Sequence, residues 1–378
     1  MKKAPKTILV CCIRVIGDVI LTTPLIEVLK RAYPDASIDM MVAAGTGAFL
    51  KRDPRIRNVI EAPSKEMGNH RSIWNDISVL RSIFKKYDMA INMNSADRGT
   101  LATICAGREL RVGFSEGDGF VWKKFLLTDP IPYDVSGHTA HLCKLVADAL
   151  GISVSQIEVK VCWNDDDSEL VRQRLDTVTE GSGYFVVHPF ARWDYKYWSM
   201  ESFVAVTDKI ALEYGLTPIW TSSPDVKELA LLDQFAPQCL SRPLIIRGEF
   251  SLNQMACLIS RARLYLGLDT AVSHIAASTG VPMIALYGPT AMSRWFPWNN
   301  QGAADQYYGC QRGSFRNGNI VSIQKSCEHP SWCNRKNCIN QCMSRISVEE
   351  VFVEAADLLH DEGRQMVAKQ DNVGFVNG

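Results

Sequence analysis

Residues 264–290 read LYLGLDTAVSHIAASTGVPMIALYGPT. The apolar run Leu264 to Leu268 reads as a short buried strand. Asp269 stands where a helix N-cap belongs, because its carboxylate can accept the first free backbone N–H groups. Thr270 to Thr279 predicts a helix of small residues stopped by Gly280. Val281 to Tyr287 predicts a second strand, and Gly288-Pro289-Thr290 a turn after it. Such a strand–helix–strand unit sets its helix N-terminus at the carboxyl edge of a parallel sheet. Unpaired N–H groups and the positive end of the helix dipole gather there, so a diphosphate fits without a metal. His274 lies one turn beyond Thr270 on nearly the same face. Plain packing, with a capping Asp and a core His, accounts for the same pattern.

Toward the N-terminus the unit repeats. Tyr184 to Val187 predicts a strand, His188 to Trp198 a loop, and Ser199 the cap of a helix with Phe203, Val206 and Ile210 on one face. Lys196 in that loop is a point charge suited to phosphate, or an exposed lysine without a role. Thr217 to Thr221 is a further strand, ending in Ser222-Ser223-Pro224-Asp225. Leu244 to Ile246 and the helix Leu252 to Ile259 lead into the central unit.

The first half has the same rhythm. Ile8 to Ile13 is an apolar strand of the buried parallel type, and Arg14 to Asp18 reads as the loop after it. The next helix starts at Thr22-Thr23 with Pro24 in its first turn, or near Gly17 with a kink at Pro24. Ile38 to Ala43 is the second strand. A carboxylate at Asp18 can take a proton from an attacking hydroxyl; a helix cap is the other account of it. The strand Met89 to Met93 opens onto the polar loop Asn94 to Gly99, at the strand end where open α/β sheets bind ligands. Asp97 and Arg98 are ligand candidates there, or surface loop residues without a role. Trp122 beside Lys123 and Lys124 suits a lipid headgroup region or a solvated face. His138 and His141 have a spacing that can hold a metal, but no third ligand is close in sequence and an amphipathic helix explains them better.

Formal net charge is zero, with 47% hydrophobic residues in 378, enough for a sizeable core. Residues 1–160 carry 22 Lys+Arg against 17 Asp+Glu and residues 161–378 carry 19 against 24, which suits a first half facing an anionic partner or membrane surface. No apolar run reaches the length of a transmembrane helix. The basic, then apolar, N-terminus is interrupted by Arg14 and Asp18 and reads as a strand and loop rather than a leader. Most of the twelve cysteines, such as Cys11, Cys12 and Cys257, sit in apolar contexts, which favours the cytoplasm. Cys327, Cys333, Cys338 and Cys342 cluster within sixteen residues and suit a structural zinc or iron–sulfur centre, or else free or disulfide-bonded thiols.

Three stretches together resemble the lipopolysaccharide heptosyltransferases, glycosyltransferase family nine. They are Asp269-Thr270 with His274 and Tyr287-Gly288-Pro289-Thr290; Gly17-Asp18 ahead of Thr23-Pro24; and Lys196 just before Tyr197-Trp198. The resemblance implies an α/β GT-B fold, two Rossmann-like domains with parallel sheets facing a cleft. It implies an inverting transfer of heptose from ADP-heptose to lipopolysaccharide inner core, and looks closest to the enzymes adding the branching third heptose. Asp18 is then the catalytic base, and Gly17, Asp97 and Arg98 are acceptor-side candidates. Lys196, Asp269, Thr270, His274 and the Gly288-Pro289-Thr290 turn hold the donor, and Asp225, or Glu228 in its place, meets the ribose. The expected domains are 1–160 for the acceptor and 161–346 for the nucleotide sugar, then a helix at 347–363 packed across the junction and a polar tail at 364–378. Catalysis is expected to need no cofactor. The partners expected are a lipid-linked core acceptor and the cytoplasmic face of the inner membrane of a Gram-negative bacterium, touched peripherally by a monomer without nucleic acid. The rival readings are a family member using another nucleotide sugar, a sugar-nucleotide epimerase on the same scaffold, and a non-catalytic assembly partner.

Overall fold

The structure, a computed structural model, describes residues 4–63, 73–115, 121–133, 137–176, 183–306, 313–326 and 341–373. The chain forms two compact units. The first is Met1–Cys162 with the returning segment Asn300–Tyr308, and the second is Trp163–Asn299 with Gly309–Gly378.

In the first unit six strands, β1 (Thr7–Cys12), β2 (Ser37–Ala43), β3 (Ile56–Ala62), β4 (Tyr87–Asn92), β5 (Gly107–Ser115) and β6 (Asp129–Pro132), lie in the order β3-β2-β1-β4-β5-β6. Every pairing is parallel. The chain builds outward from β1 to β3, then begins again on the other side of β1 with β4. The strand order therefore reverses between β1 and β4, where open α/β sheets leave a crevice at the carboxyl ends of their strands.

The first helix takes the start near Gly17, the second of the two that the sequence offered, and not the one at Thr22. It runs Ile16–Ala32, so Gly17 and Asp18 lie in its first turn rather than in a loop, and Pro24 is internal. A proline there cannot donate to the carbonyl four residues back. Thr23 makes good the loss, its Oγ1 donating to Ile20 O at 2.7 Å, and Thr22 Oγ1 donates to Asp18 O at 2.9 Å. The acceptor-loop expectation is also corrected. The polar loop ends at Ala96, and Asp97 and Arg98 open the helix Asp97–Ala106.

The second unit carries β7 (Tyr184–His188), β8 (Thr217–Ser222), β9 (Leu244–Arg247), β10 (Leu264–Leu268), β11 (Met283–Tyr287), β12 (Phe315–Asn317) and β13 (Ile320–Gln324), in the order β12-β13-β11-β10-β7-β8-β9. Only the short edge strand β12 is antiparallel among these pairings. The order reverses between β7 and β10. β10 and β11 are buried along their whole length, which is why both read as unbroken apolar runs. Helix starts follow local chemistry. Asn164 and Ser251 make capping boxes, and Ser199 accepts from Ser202 N–H.

The last helix runs Val348–Val373, well past the expected end, and takes in most of the stretch expected as a polar tail. Its later residues, such as Arg364, Gln365, Met366, Ala368 and Lys369, are good helix formers. Its described packing is against the Met200–Tyr214 helix and β10 and β11, all of the second unit. Trp198 belongs to this core, its Nε1 donating to Ile346 O at 2.9 Å.

Candidate active site

The loops after β7 and β10 meet at the point where the second sheet reverses its order. The first carries Lys196 at the end of a short 3-10 turn, Asp194–Lys196. The second carries Asp269 and Thr270 ahead of the helix Ala271–Thr279. Lys196 Nζ donates to Asp269 O at 2.9 Å and stands 2.6 Å from Asp269 Oδ2, an ion pair off the hydrogen-bonding direction of that oxygen. Both side chains are largely buried, 16% and 6% exposed, so water screens their attraction little. This corrects the reading of Asp269 as a helix cap. Thr270 is the N-cap, without a capping hydrogen bond from its side chain, and the Asp269 carboxylate is paired with the ammonium instead. The first-turn N–H groups therefore keep their positive end open to a ligand. Gly280 ends the helix at φ 77°, as the sequence requires.

The third wall is the turn after β11. A Cβ on Gly288 would come within 3.0 Å of Tyr195 O and 3.7 Å of Lys196 Cα, so a side chain there would press on the lysine loop. Gln324, at the end of β13, holds the turn. Its Nε2 donates to Gly288 O at 2.6 Å and to Thr290 O at 2.8 Å, with Pro289 between them. Sequence reading did not single out Gln324. A strand-terminal glutamine carries no local signal, and its use appears only when β13 lies beside β11.

His274 is buried on the same helix, with Nδ1 lacking a hydrogen-bond partner among the described residues. Burial pushes its pKa down to about 4, against the pull of Asp269 and with the push of Lys196. His188, at the end of β7, is lowered to about 4 by burial as well, and its Nδ1 lies 3.0 Å from Thr221 Oγ1. Both rings are neutral at pH 7. Their depressed folded-state pKa values contribute stability that is fully present above about pH 6.5, the ordinary histidine pKa. That stability is lost as pH falls toward 4, because the unfolded chain binds the protons first. Urea melts between pH 7 and pH 4 should show wild type losing stability faster than the His188→Gln/His274→Gln variant, by up to about 1.4 kcal/mol per pH unit for each ring.

Asp225 does not face this site as a free acid. It caps the helix Val226–Phe235, Oδ1 accepting from Lys227 N at 2.9 Å and Glu228 N at 3.3 Å. Glu228 lies in the first turn of that helix. It is half-buried, with Oε2 accepting from Ser223 N at 2.7 Å, and burial raises its pKa. It also lies close enough to Tyr197, in the lysine loop, to help burial lift that phenol to about 12.

In the first unit Asp18 is 8% exposed, with Arg14 Nε 3.8 Å from its Oδ1. Asp97 is paired with Lys123 at 2.9 Å and Arg98 with Asp76 at 2.5 Å. Lys123 is buried and donates to Ser95 O at 2.5 Å, which corrects its reading as a headgroup contact. Its stem is packed inward and its charge is spent on the Asn94–Asp97 loop. His138 Nδ1 accepts from Ala140 N–H at 3.1 Å, just ahead of the His141–Ala149 helix. Of the late cysteines, Cys342 is buried, and Cys327, Cys333 and Cys338 lie outside the described residues.

Two parallel-sheet units, with cationic and N–H groups gathered at the reversal point of the second, define the class: a GT-B glycosyltransferase. The chain belongs to glycosyltransferase family 9 (heptosyltransferase), whose model matches residues 77–311. It is 30% identical over 290 residues to lipopolysaccharide heptosyltransferase 3 of Escherichia coli K12, covering 75% of this chain and 82% of the relative. Its fold is similar to that of a family 9 glycosyltransferase from Veillonella parvula, with TM-score 0.74 and 21% identity over 94% of this chain and 97% of that one. It is similar too to the E. coli ADP-heptose lipopolysaccharide heptosyltransferase II, with TM-score 0.70 and 19% identity over 94% and 99%. Among the described residues no helix is long and apolar enough to cross a membrane.

Proposed function

We propose that the enzyme moves a heptose from ADP-L-glycero-D-manno-heptose to the inner core of lipopolysaccharide, with inversion at the anomeric carbon. Asp18 takes the proton of an acceptor hydroxyl. The oxygen bonds to the anomeric carbon as that carbon's bond to the diphosphate breaks on the opposite face, and ADP leaves with the bonding pair. Charge develops on the departing phosphate oxygen, and fixed donors aimed at it lower the barrier. Lys196 and the N-terminus of the Ala271–Thr279 helix are those donors, with the Gly288-Pro289-Thr290 turn alongside. His274, neutral, orients a phosphate through a ring N–H. Glu228, rather than Asp225, accepts from the ribose hydroxyls. The observation that carries the reading is the Lys196–Asp269 pair beside an open helix N-terminus and under Gly288.

The acceptor in this reading is lipid-linked, and the enzyme is a monomer working at the cytoplasmic face of the inner membrane. Exposed Phe125 and Leu126, 80% and 47% exposed, support a peripheral contact there. Incubation of purified protein with ADP-heptose and heptose-bearing core acceptors should give a product one heptose heavier by mass spectrometry. Transfer only from a different nucleotide sugar would overturn the donor, and interconversion of free nucleotide sugar without an acceptor would make the protein an epimerase.

The reading includes a structural zinc or iron–sulfur centre on Cys327, Cys333, Cys338 and Cys342, outside the catalytic chemistry, supported by the density of thiols in that segment. Elemental analysis of chelator-washed protein should find stoichiometric zinc or iron. Neither metal at stoichiometry would remove the centre.

A further inference from the structure

The reversal point of the first sheet carries a polar group that the chemistry above does not use. β1 and β4 are neighbours there, one leading to Asp18 and the other to Asn94. Met93 N donates to Cys11 O at 2.9 Å, so the two chains stay in register up to Asn94. Asn94 is 8% exposed. Its Oδ1 accepts from Ala96 N–H at 2.9 Å, which fixes the amide's orientation, since the swapped amide would set two N–H groups against each other. Its Nδ2 is buried and meets no acceptor among the described residues.

The contrast with Asn92 is informative. That amide is spent inside the unit, Nδ2 donating to Thr100 Oγ1 at 3.0 Å and Oδ1 accepting from Asn94 N at 3.4 Å. A buried amide N–H left unmade costs about 1–3 kcal/mol, so such a group calls for a partner, whether water, an ion or a ligand. The same loop opens the Asp97–Ala106 helix, whose N-cap Ala96 has no capping side chain. The Asp97 carboxylate, 65% exposed, stands at that helix end and disfavours an anion. An uncharged oxygen suits the amide.

We propose that Asn94 is an acceptor-binding residue, its Nδ2 donating to a hydroxyl or ring oxygen of the sugar that receives the transferred heptose. This rests on the transferase reading and deepens it by naming a subsite for the acceptor. It places recognition of the acceptor at the same strand ends as the base, each on one side of the sheet's reversal point.

Asn94→Asp is the test, because it keeps the Oδ1 that holds Ala96 N–H and the side chain's shape, and puts a charged acceptor oxygen in place of the donor. Wild type and variant are assayed with ADP-heptose and a deacylated, heptose-bearing core oligosaccharide. ADP affinity is measured by calorimetry and Tm by melting. The acceptor KM should rise by about tenfold or more, a loss of about 1.4 kcal/mol in binding, with ADP affinity and Tm close to wild type. Asn94→Ala, which adds no charge, should shift the acceptor KM in the same direction. An acceptor KM within about twofold of wild type in both variants, well below the tenfold of one hydrogen-bond step, would overturn the proposal. So would a rise matched by equal losses in ADP affinity and Tm, which marks a structural role. Wild type that transfers nothing to this oligosaccharide strikes the proposed function itself, and this inference falls with it.

Discussion

Asp18→Asn should lower kcat by about 10²–10⁴-fold, the range that a positioned base contributes, while ADP binds as in wild type. The substitution preserves shape but turns one acceptor oxygen into an NH2 donor and so removes the base. Asp18 lies in the first turn of a helix whose internal proline is already accommodated by Thr23, and its backbone carbonyl, held by Thr22, is untouched. The donor groups proposed here belong to the other unit, so binding of ADP should not follow the change. Stopped assays of heptose transfer, paired with ADP calorimetry, check this. A variant with near-normal rates would show that the proton goes elsewhere.

Lys196→Ala should act on rate and stability together. It removes a donor aimed at the leaving phosphate, a loss of about 10²–10³ in kcat for one such group. It also leaves the Asp269 carboxylate buried without its cation, and breaking a buried pair from one side costs about 3–5 kcal/mol. The double variant Lys196→Ala/Asp269→Asn separates the two effects. Removing the orphaned charge should restore most of the stability and none of the rate. Recovery of activity in the double variant would reduce Lys196 to a counter-ion. Lys196→Arg should not substitute fully, because a planar guanidinium does not fit where a compact ammonium reaches both a carbonyl and a carboxylate.

The sheets and the family were legible in the sequence because buried parallel strands leave unbroken apolar runs, and because Gly17-Asp18, Lys196 and the Asp269-to-Thr290 stretch keep a recognisable spacing. Lys196, Asp269, Thr270, His274 and Gly288 do converge in the second unit. Partner choice was not legible. Asp225 and Glu228 are both acids near the end of β8, and only the fold shows that the first caps a helix while the second is half-buried beside Tyr197. Lys123 reads as a surface charge next to Lys124, yet it turns inward because Asp97 and the Ser95 carbonyl lie across from it. The start of the first helix stayed open between Gly17 and Thr22 because a Thr-Thr-Pro sequence is an equally good cap. The outcome turned on a threonine hydroxyl supplying what the proline lacks.

A structure of the enzyme with ADP bound tests the central claim most directly. The diphosphate should lie within hydrogen-bond distance of Lys196 Nζ and the first-turn N–H groups of the Ala271–Thr279 helix, beside Gly288, with the ribose on Glu228. ADP bound elsewhere, with the Lys196–Asp269 pair untouched and that helix end facing only solvent, would contradict the account.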